Sequence, residues 1–236
     1  MDTIDFSNFK TVTDSSKDVS LGGVFVAIKG YVHDGHNYIQ DAINNGAKLI
    51  VIDKDSINKK ITAPDVSYIE VNDTRKALSY IASKIYKQPD HIVAITGTNG
   101  KTSATYFYKQ ILEMLGQNSA SLGTLGAVTS TKKEIFSKYD TLTTPSTIQL
   151  YSILNELKAC DINNMAMEVS SHGLSQSRVD NVNVEAAAFT SFSQDHLDYH
   201  KNMEEYFKAK MKLFEEVLPE GSPVVINADM DVYVDV

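Results

Sequence analysis

The sequence predicts an α/β protein in which an N-terminal α/β domain precedes a second α/β domain built around a phosphate loop. Three observations carry this. Short apolar runs alternate with segments of helical periodicity, the pattern of a largely parallel sheet covered by helices. A glycine-bearing turn, Gly97-Thr98-Asn99-Gly100-Lys101-Thr102, follows an apolar run and precedes a helical one. The 236 residues suffice for one large domain or two small ones.

Val24–Ile28, Leu49–Ile52 and Tyr68–Val71 are the three strands expected of the first domain, being short runs rich in β-branched and aromatic residues. Asp73 then offers a side-chain cap to a helix in which Ala77, Leu78, Ile81, Ala82 and Ile85 recur at helical spacing. That helix is expected to end near Pro89. The residue before a proline is biased away from helix, so the boundary falls at Gln88-Pro89-Asp90 and the domains span 1–88 and 89–236. The second domain opens with the strand His91–Thr96 and a helix from Lys101, then continues with strands Met165–Val169, Val184–Thr190 and Val224–Asn227. No internal repeat or low-complexity tract interrupts it.

A content of 42% hydrophobic and 22% charged residues is that of an ordinary globule. Against 22 Lys and Arg stand 30 Asp and Glu, a net charge of −8. This balance argues against a nucleic-acid partner or an anionic lipid surface, so any anion is bound locally. The single cysteine, Cys160, allows neither an internal disulfide nor a cysteine metal site and fits a reducing compartment. The N-terminus shows no basic region followed by an apolar stretch, and no run approaches the roughly 20 apolar residues of a membrane span. A cytoplasmic location is expected.

The turn at 97–102 has the context a phosphate loop requires, because amides of the glycine turn and of the helix N-terminus converge on phosphate oxygens. Lys101 would meet the β and γ phosphates, and Thr102 would offer its hydroxyl to Mg²⁺. Ile95 stands where the full pattern has glycine, so the loop is a shortened form. Glu168 closes the apolar strand Met165-Ala166-Met167, and strand carboxyl ends are where α/β sheets keep their chemistry. It is either the acidic partner of the metal or a surface glutamate opening a loop. The neighbouring Ser170-Ser171-His172-Gly173 lacks the G-x-S-x-G elbow of serine hydrolases.

In Asp195-His196-Leu197-Asp198-Tyr199-His200, leucine occupies the position where H-E-x-x-H zinc sites need glutamate, which disfavours a zinc protease. The stretch is otherwise a polar loop or helix start. In the following helix, Lys208 and Lys212 have Glu204, Glu205, Glu215 and Glu216 at helical spacing and are expected on a solvated face. Lys210 has Met203, Tyr206, Phe207, Leu213, Phe214 and Val217 instead, so it projects from the inward stripe unless its head snorkels out. A desolvated amine has a lowered pKa, and a neutral amine can take up CO₂ as a carbamate, turning a cation into an oxygen ligand.

These motifs together resemble the Mur ligase family over nearly the whole chain, and within it the branch that adds the third amino acid to a UDP-N-acetylmuramoyl dipeptide. The resemblance implies that Gly97, Thr98, Asn99, Gly100, Lys101, Thr102 and Ser103 bind ATP, with Asn227 near the adenine. It places Thr143, Thr144, Ser170, Gln176 and Arg178 on the UDP-muramoyl substrate, with Thr13, Ser15, Tyr31, Val32 and His33 contributing from the first domain. Ser16 stands where that branch usually has arginine. Glu168, His196, Lys101 and Lys210 would be catalytic, and Thr102, Glu168, His196 and carbamylated Lys210 would hold Mg²⁺. The implied reaction activates the D-glutamyl carboxylate as an acyl phosphate, which the amine of diaminopimelate or lysine displaces, in peptidoglycan precursor synthesis. Family members continue past this point with an amino-acid-binding C-terminal domain, so the central domain is expected to be incomplete. A complementary C-terminal chain is an expected partner, and the chain alone is expected to be inactive. Two rival readings are a folylpolyglutamate-type ligase, which shares the ATP motifs but not the first domain, and a non-catalytic nucleotide- and UDP-muramoyl-binding fragment.

Overall fold

The computed structural model describes residues 4–30, 32–129, 139 and 142–232, with residues 57–59 described by their backbone alone. The chain divides into two compact units, Met1–Tyr86 and Lys87–Val236. Among the described residues no helix is long and apolar enough to cross a membrane.

The first unit is a four-stranded parallel sheet in the order β1 (Val12–Thr13), β2 (Val24–Val26), β3 (Leu49–Asp53), β4 (Ser67–Val71), with helices α1 (Ile39–Asn44) and α2 (Thr74–Ile85). Leu49 through Ile52 are all buried, as a strand covered on both faces requires. Phe25, Ile39, Ile50 and Ile52 form the centre of its core. Asp73 caps α2 by accepting from the amides of Arg75 and Lys76. The helix ends at Ile85, short of Pro89, because Tyr86 is already extended. Strand β1 is an addition to the three expected strands; its two residues are too few to leave a periodic signal. Strand β2 is shorter than expected, since Ile28 accepts from the amide of Gly35 and the chain turns there.

The second unit is a six-stranded sheet in the order β10 (Val224–Ile226), β9 (Val184–Phe189), β5 (His91–Thr96), β8 (Asn164–Glu168), β6 (Ser119–Gly123), β7 (Gly126–Thr129). Among the described residues only the β6–β7 hairpin is antiparallel. Among the described residues four helices accompany it: α3 (Lys101–Met114), α4 (Thr147–Ala159), the short α5 (Ser171–Ser175) and α6 (Met203–Lys212), which runs into a π turn at Leu213–Val217. Strand β5 lies between β8 and β9, so the chain leaves it toward one side of the sheet and later returns to the other. This is the topological switch at which open α/β sheets bind ligands, outside the strands' carboxyl ends. Register sets Ile95 beside Glu168 and Thr96 beside Phe189. The phosphate turn and the acidic residue therefore emerge at one edge.

Candidate functional site

Thr96 ends β5 and the chain enters the turn through Gly97, at φ +143°. A Cβ there would lie 2.1 Å from Thr190 Oγ1, so only glycine fits. Gly100, at φ +85°, leads into α3. The segment after β9 braces the turn. Thr98 N donates to Ser191 O (2.7 Å), Asn99 N to Ser191 Oγ (2.8 Å), and Ser193 N to Thr98 Oγ1 (3.1 Å). Asn227, just past β10, donates through Nδ2 to Thr190 O at 3.0 Å, so it adjoins that brace. Ser103 faces outward from the first turn of α3.

Two lysines enter this turn. Lys101 Nζ donates to Gly97 O and Thr98 O, both at 2.8 Å. Lys210, 1% exposed, donates to the same Gly97 O at 2.8 Å and stands 4.5 Å from the centroid of the Tyr206 ring. The amine is thus inside, as its place on the apolar stripe of α6 predicts. Burial and then the charge of Lys101 lower its pKa to about 7. Burial also lowers that of Lys101, partly opposed by Glu168 and Asp195. Lys212 departs from expectation. It is 14% exposed and pairs with Asp180, because the turn after α5 folds over that side of α6. Lys208 remains exposed beside Glu204.

Glu168 is 2% exposed and faces the start of α3, where Thr102 Oγ1 donates to its Oε1 at 2.9 Å. The same oxygen accepts from Thr124 N at 2.9 Å. A Cβ on Gly123 would lie 2.1 Å from that Oε1, so β6 must end in glycine for the carboxylate to reach its place. The sequence reading missed Gly123, Thr124 and the brace residues Thr190, Ser191 and Ser193. The tight hairpin Gly123-Thr124-Leu125-Gly126 was the available signal for the first pair.

Thr143, Thr144, Ser170, Gln176 and Arg178 form one network. Thr143 Oγ1 is 3.1 Å from Thr124 Oγ1. Thr144 Oγ1 accepts from Ser170 N at 2.9 Å and lies 3.2 Å from Glu168 O. Arg178 donates through Nη1 to Thr144 O (2.5 Å) and through Nη2 to Gln176 Oε1 (2.8 Å). Ser170 also caps α5, accepting from Gly173 N.

The 195–200 stretch is a series of turns, with His196 at φ +52°. Its ring packs edge-on to His172, with centroids 4.9 Å apart, and its Nε2 is 3.5 Å from the Asp195 carboxylate. His200 is buried and its Nε2 is 2.9 Å from Ser171 Oγ. Thr102 and Glu168 are brought into direct contact, whereas no ion pair joins His196 to Glu168 among the described residues. Among those residues, no group of three or more His, Cys, Asp or Glu stands ready to hold a metal ion.

In the first unit, Ser15 and His33 line a cleft of about 570 Å³ with Asp14, Lys17, Tyr38 and Asn45. Burial raises the pKa of Asp14 there. Thr13 Oγ1 accepts from Ser15 N at 3.0 Å and shapes the turn. Val32 is exposed, and Tyr31 lies outside the described residues.

Known proteins share this organisation. The model of the Mur ligase middle domain matches residues 95–236, and that of the Mur ligase family catalytic domain matches 8–86. A UDP-N-acetylmuramoyl-L-alanyl-D-glutamate–2,6-diaminopimelate ligase of Brucella melitensis is 42% identical over 219 residues, which are 92% of this chain and 43% of that one. The enzyme of the same name from Rickettsia prowazekii is 39% identical over 224 residues, 94% of this chain and 45% of the other. A solved structure bearing that enzyme name superposes with a TM-score of 0.76 at 26% identity, covering 96% of this chain and 44% of the other. The MurF ligase of Thermotoga maritima shares the fold, with a TM-score of 0.62, 20% identity and coverage of 96% and 47%. The chain spans less than half the length of these relatives. A middle-domain match running from Ile95 to the last residue covers more than half of the sequence, and on that ground the chain belongs to the Mur ligase family.

Proposed function

We propose that this chain carries the nucleotide-binding and UDP-muramoyl-binding parts of an ATP-dependent amide ligase, which adds the third residue to UDP-N-acetylmuramoyl-L-Ala-D-Glu. The carrying observation is the convergence of Lys101 and Lys210 on Gly97 O. Buried Lys210 and half-buried Lys101 share one neutral oxygen, and among the described residues neither has a carboxylate within ion-pair distance. Such a site has N–H donors to spare for a polyphosphate, Lys101 as the standing cation and Lys210 as long as it keeps its free amine. Bound ATP supplies the phosphoryl group that activates the D-glutamyl carboxylate. The loop amides and Lys101 hold the phosphates and offset charge that develops on them.

Thr102 and Glu168 present adjacent hard oxygen donors, which suits Mg²⁺. Lys210, neutral in part near pH 7, is the amine suited to carbamate formation, and as a carbamate it would join His196 and Glu168 as a ligand. Asn227 lies beside the loop as an adenine contact. Thr143, Thr144, Ser170, Gln176 and Arg178 orient the acidic peptide end of the substrate, and the Ser15–His33 cleft takes its UDP end. The relatives' names favour 2,6-diaminopimelate over lysine as the added residue. The test is calorimetric titration of the purified chain with ATP in Mg²⁺ and, separately, with UDP-N-acetylmuramoyl dipeptide. Saturable binding of both is expected; binding of neither refutes the reading.

A further inference from the structure

Lys210 and Lys212 stand roughly 200° apart around α6, so one helix reaches two places. Lys210 goes to the phosphate turn. Lys212 Nζ goes to the end of α5 and the segment after it, donating to Leu174 O (2.9 Å), Ser177 Oγ (3.0 Å) and both Asp180 oxygens (3.1 and 3.2 Å). Glu216 Oε2 lies farther off, at 4.0 Å. The pair is enclosed, with Lys212 14% and Asp180 11% exposed.

The segment so held has an unusual backbone. Ser177 sits at φ +56°, a left-handed conformation that a serine keeps only when its surroundings impose it. Its hydroxyl is one of the atoms Lys212 grips. Flanking it are Gln176 and Arg178, whose side chains bond each other, with Arg178 also reaching Thr144 O. A reversal at Ser177 lets the two flanking side chains meet on one side, and α6 contacts that reversal through the Lys212 amine.

We propose that Lys212, through its ion pair with Asp180, is a positioning residue that sets the Ser177 turn and thereby presents Gln176 and Arg178 to an acidic UDP-linked peptide. The choice of ligand rests on the function proposed above; the positioning does not. Because Lys210 and Lys212 share a helix, the phosphate turn and the substrate turn are held by one rigid element.

Hydrogen exchange and calorimetry on the purified chain test this. Lys212→Met is expected to speed amide exchange across 174–180 while β5 and the phosphate turn keep wild-type rates. It is also expected to weaken UDP-N-acetylmuramoyl dipeptide roughly tenfold, with ATP affinity in Mg²⁺ retained. Lys212→Arg should restore both properties. The double variant Lys212→Met with Asp180→Asn leaves no lone buried carboxylate, so it separates misfolding from mispositioning and should show the same local exchange. Unchanged exchange across 174–180 in Lys212→Met overturns the inference, as does equal loss of both ligands. Failure of the wild-type chain to bind the UDP-linked dipeptide overturns the functional reading instead, and the exchange data still decide the role of Lys212.

Discussion

Lys101 and Lys210 donate to one oxygen, the carbonyl of Gly97, each at 2.8 Å. When both are protonated, two like charges this close, Lys210 buried and Lys101 half-buried, raise each other's cost until an anion arrives. The arrangement is therefore primed for a ligand with several negative charges.

Lys101→Ala should lose the donor that meets the phosphates while leaving β5 and α3 in place. A hydrogen bond to a charged group contributes about 1.5–3 kcal/mol. That corresponds to roughly 10- to 150-fold weaker ATP binding in Mg²⁺ by calorimetry. An unchanged affinity would remove Lys101 from the site.

Lys210 should make stability depend on pH. Its folded pKa is about 7, against roughly 10.4 in the unfolded chain. Between those values the unfolded state holds a proton that the folded state has shed, so this group makes unfolding harder as pH rises from 7 toward 10. Below 7 both states are protonated and the burial penalty is felt in full. Urea midpoints measured from pH 6.5 to 9 should climb less in Lys210→Met than in wild type. The same neutral amine should take up ¹³C-labelled CO₂ and give a carbamate carbon resonance that Lys210→Arg lacks. Wild type without that resonance would argue against a carbamate ligand.

Gly123→Ala should act at a distance from the phosphate turn. The added Cβ would fall 2.1 Å from Glu168 Oε1 and 2.4 Å from Cδ, so the carboxylate must leave Thr102 and Thr124 or β6 must shift. Overpacking of this kind typically costs about 1–3 kcal/mol. The checkable outcome is a lower urea midpoint together with loss of the Mg²⁺ dependence of nucleotide binding. A variant that keeps both would show that the hairpin yields freely.

The phosphate turn and its flanking strand and helix were legible because a glycine turn at a fixed offset leaves a sequence pattern. Lys210 was legible because one polar residue interrupts an apolar helical stripe. Lys212 was misread for the same reason: helical spacing reports neighbours on the helix, and the Ser177 turn that covers it is remote in sequence. Strand β6 escaped notice since Ser119, Ala120 and Ser121 are small, weak strand formers, buried here only because β8 and β7 flank them. The brace of Thr190, Ser191 and Ser193 could not be read, because hydrogen bonds across nearly a hundred residues of chain have no local signature.

Thr144→Val tests whether the substrate network depends on one hydroxyl. Thr144 is 1% exposed, and its Oγ1 accepts from Ser170 N while lying within bonding distance of Glu168 O and Ser170 Oγ. Valine keeps the shape and removes the acceptor, so the Ser170 amide loses its partner in a buried setting. An unsatisfied group of that kind costs about 1–3 kcal/mol. Ser170 would then rotate to recover a partner, carrying with it the cap of α5 and the position from which Gln176 and Arg178 are approached. The expected result is a fall in the urea midpoint, weaker binding of UDP-N-acetylmuramoyl dipeptide, and ATP affinity close to wild type. Thr144→Ser, which retains the oxygen and gives up only a methyl group, should recover substrate binding. If serine and valine variants bind the dipeptide equally well, the hydroxyl is dispensable and the network is held by the Arg178 bond to Thr144 O alone.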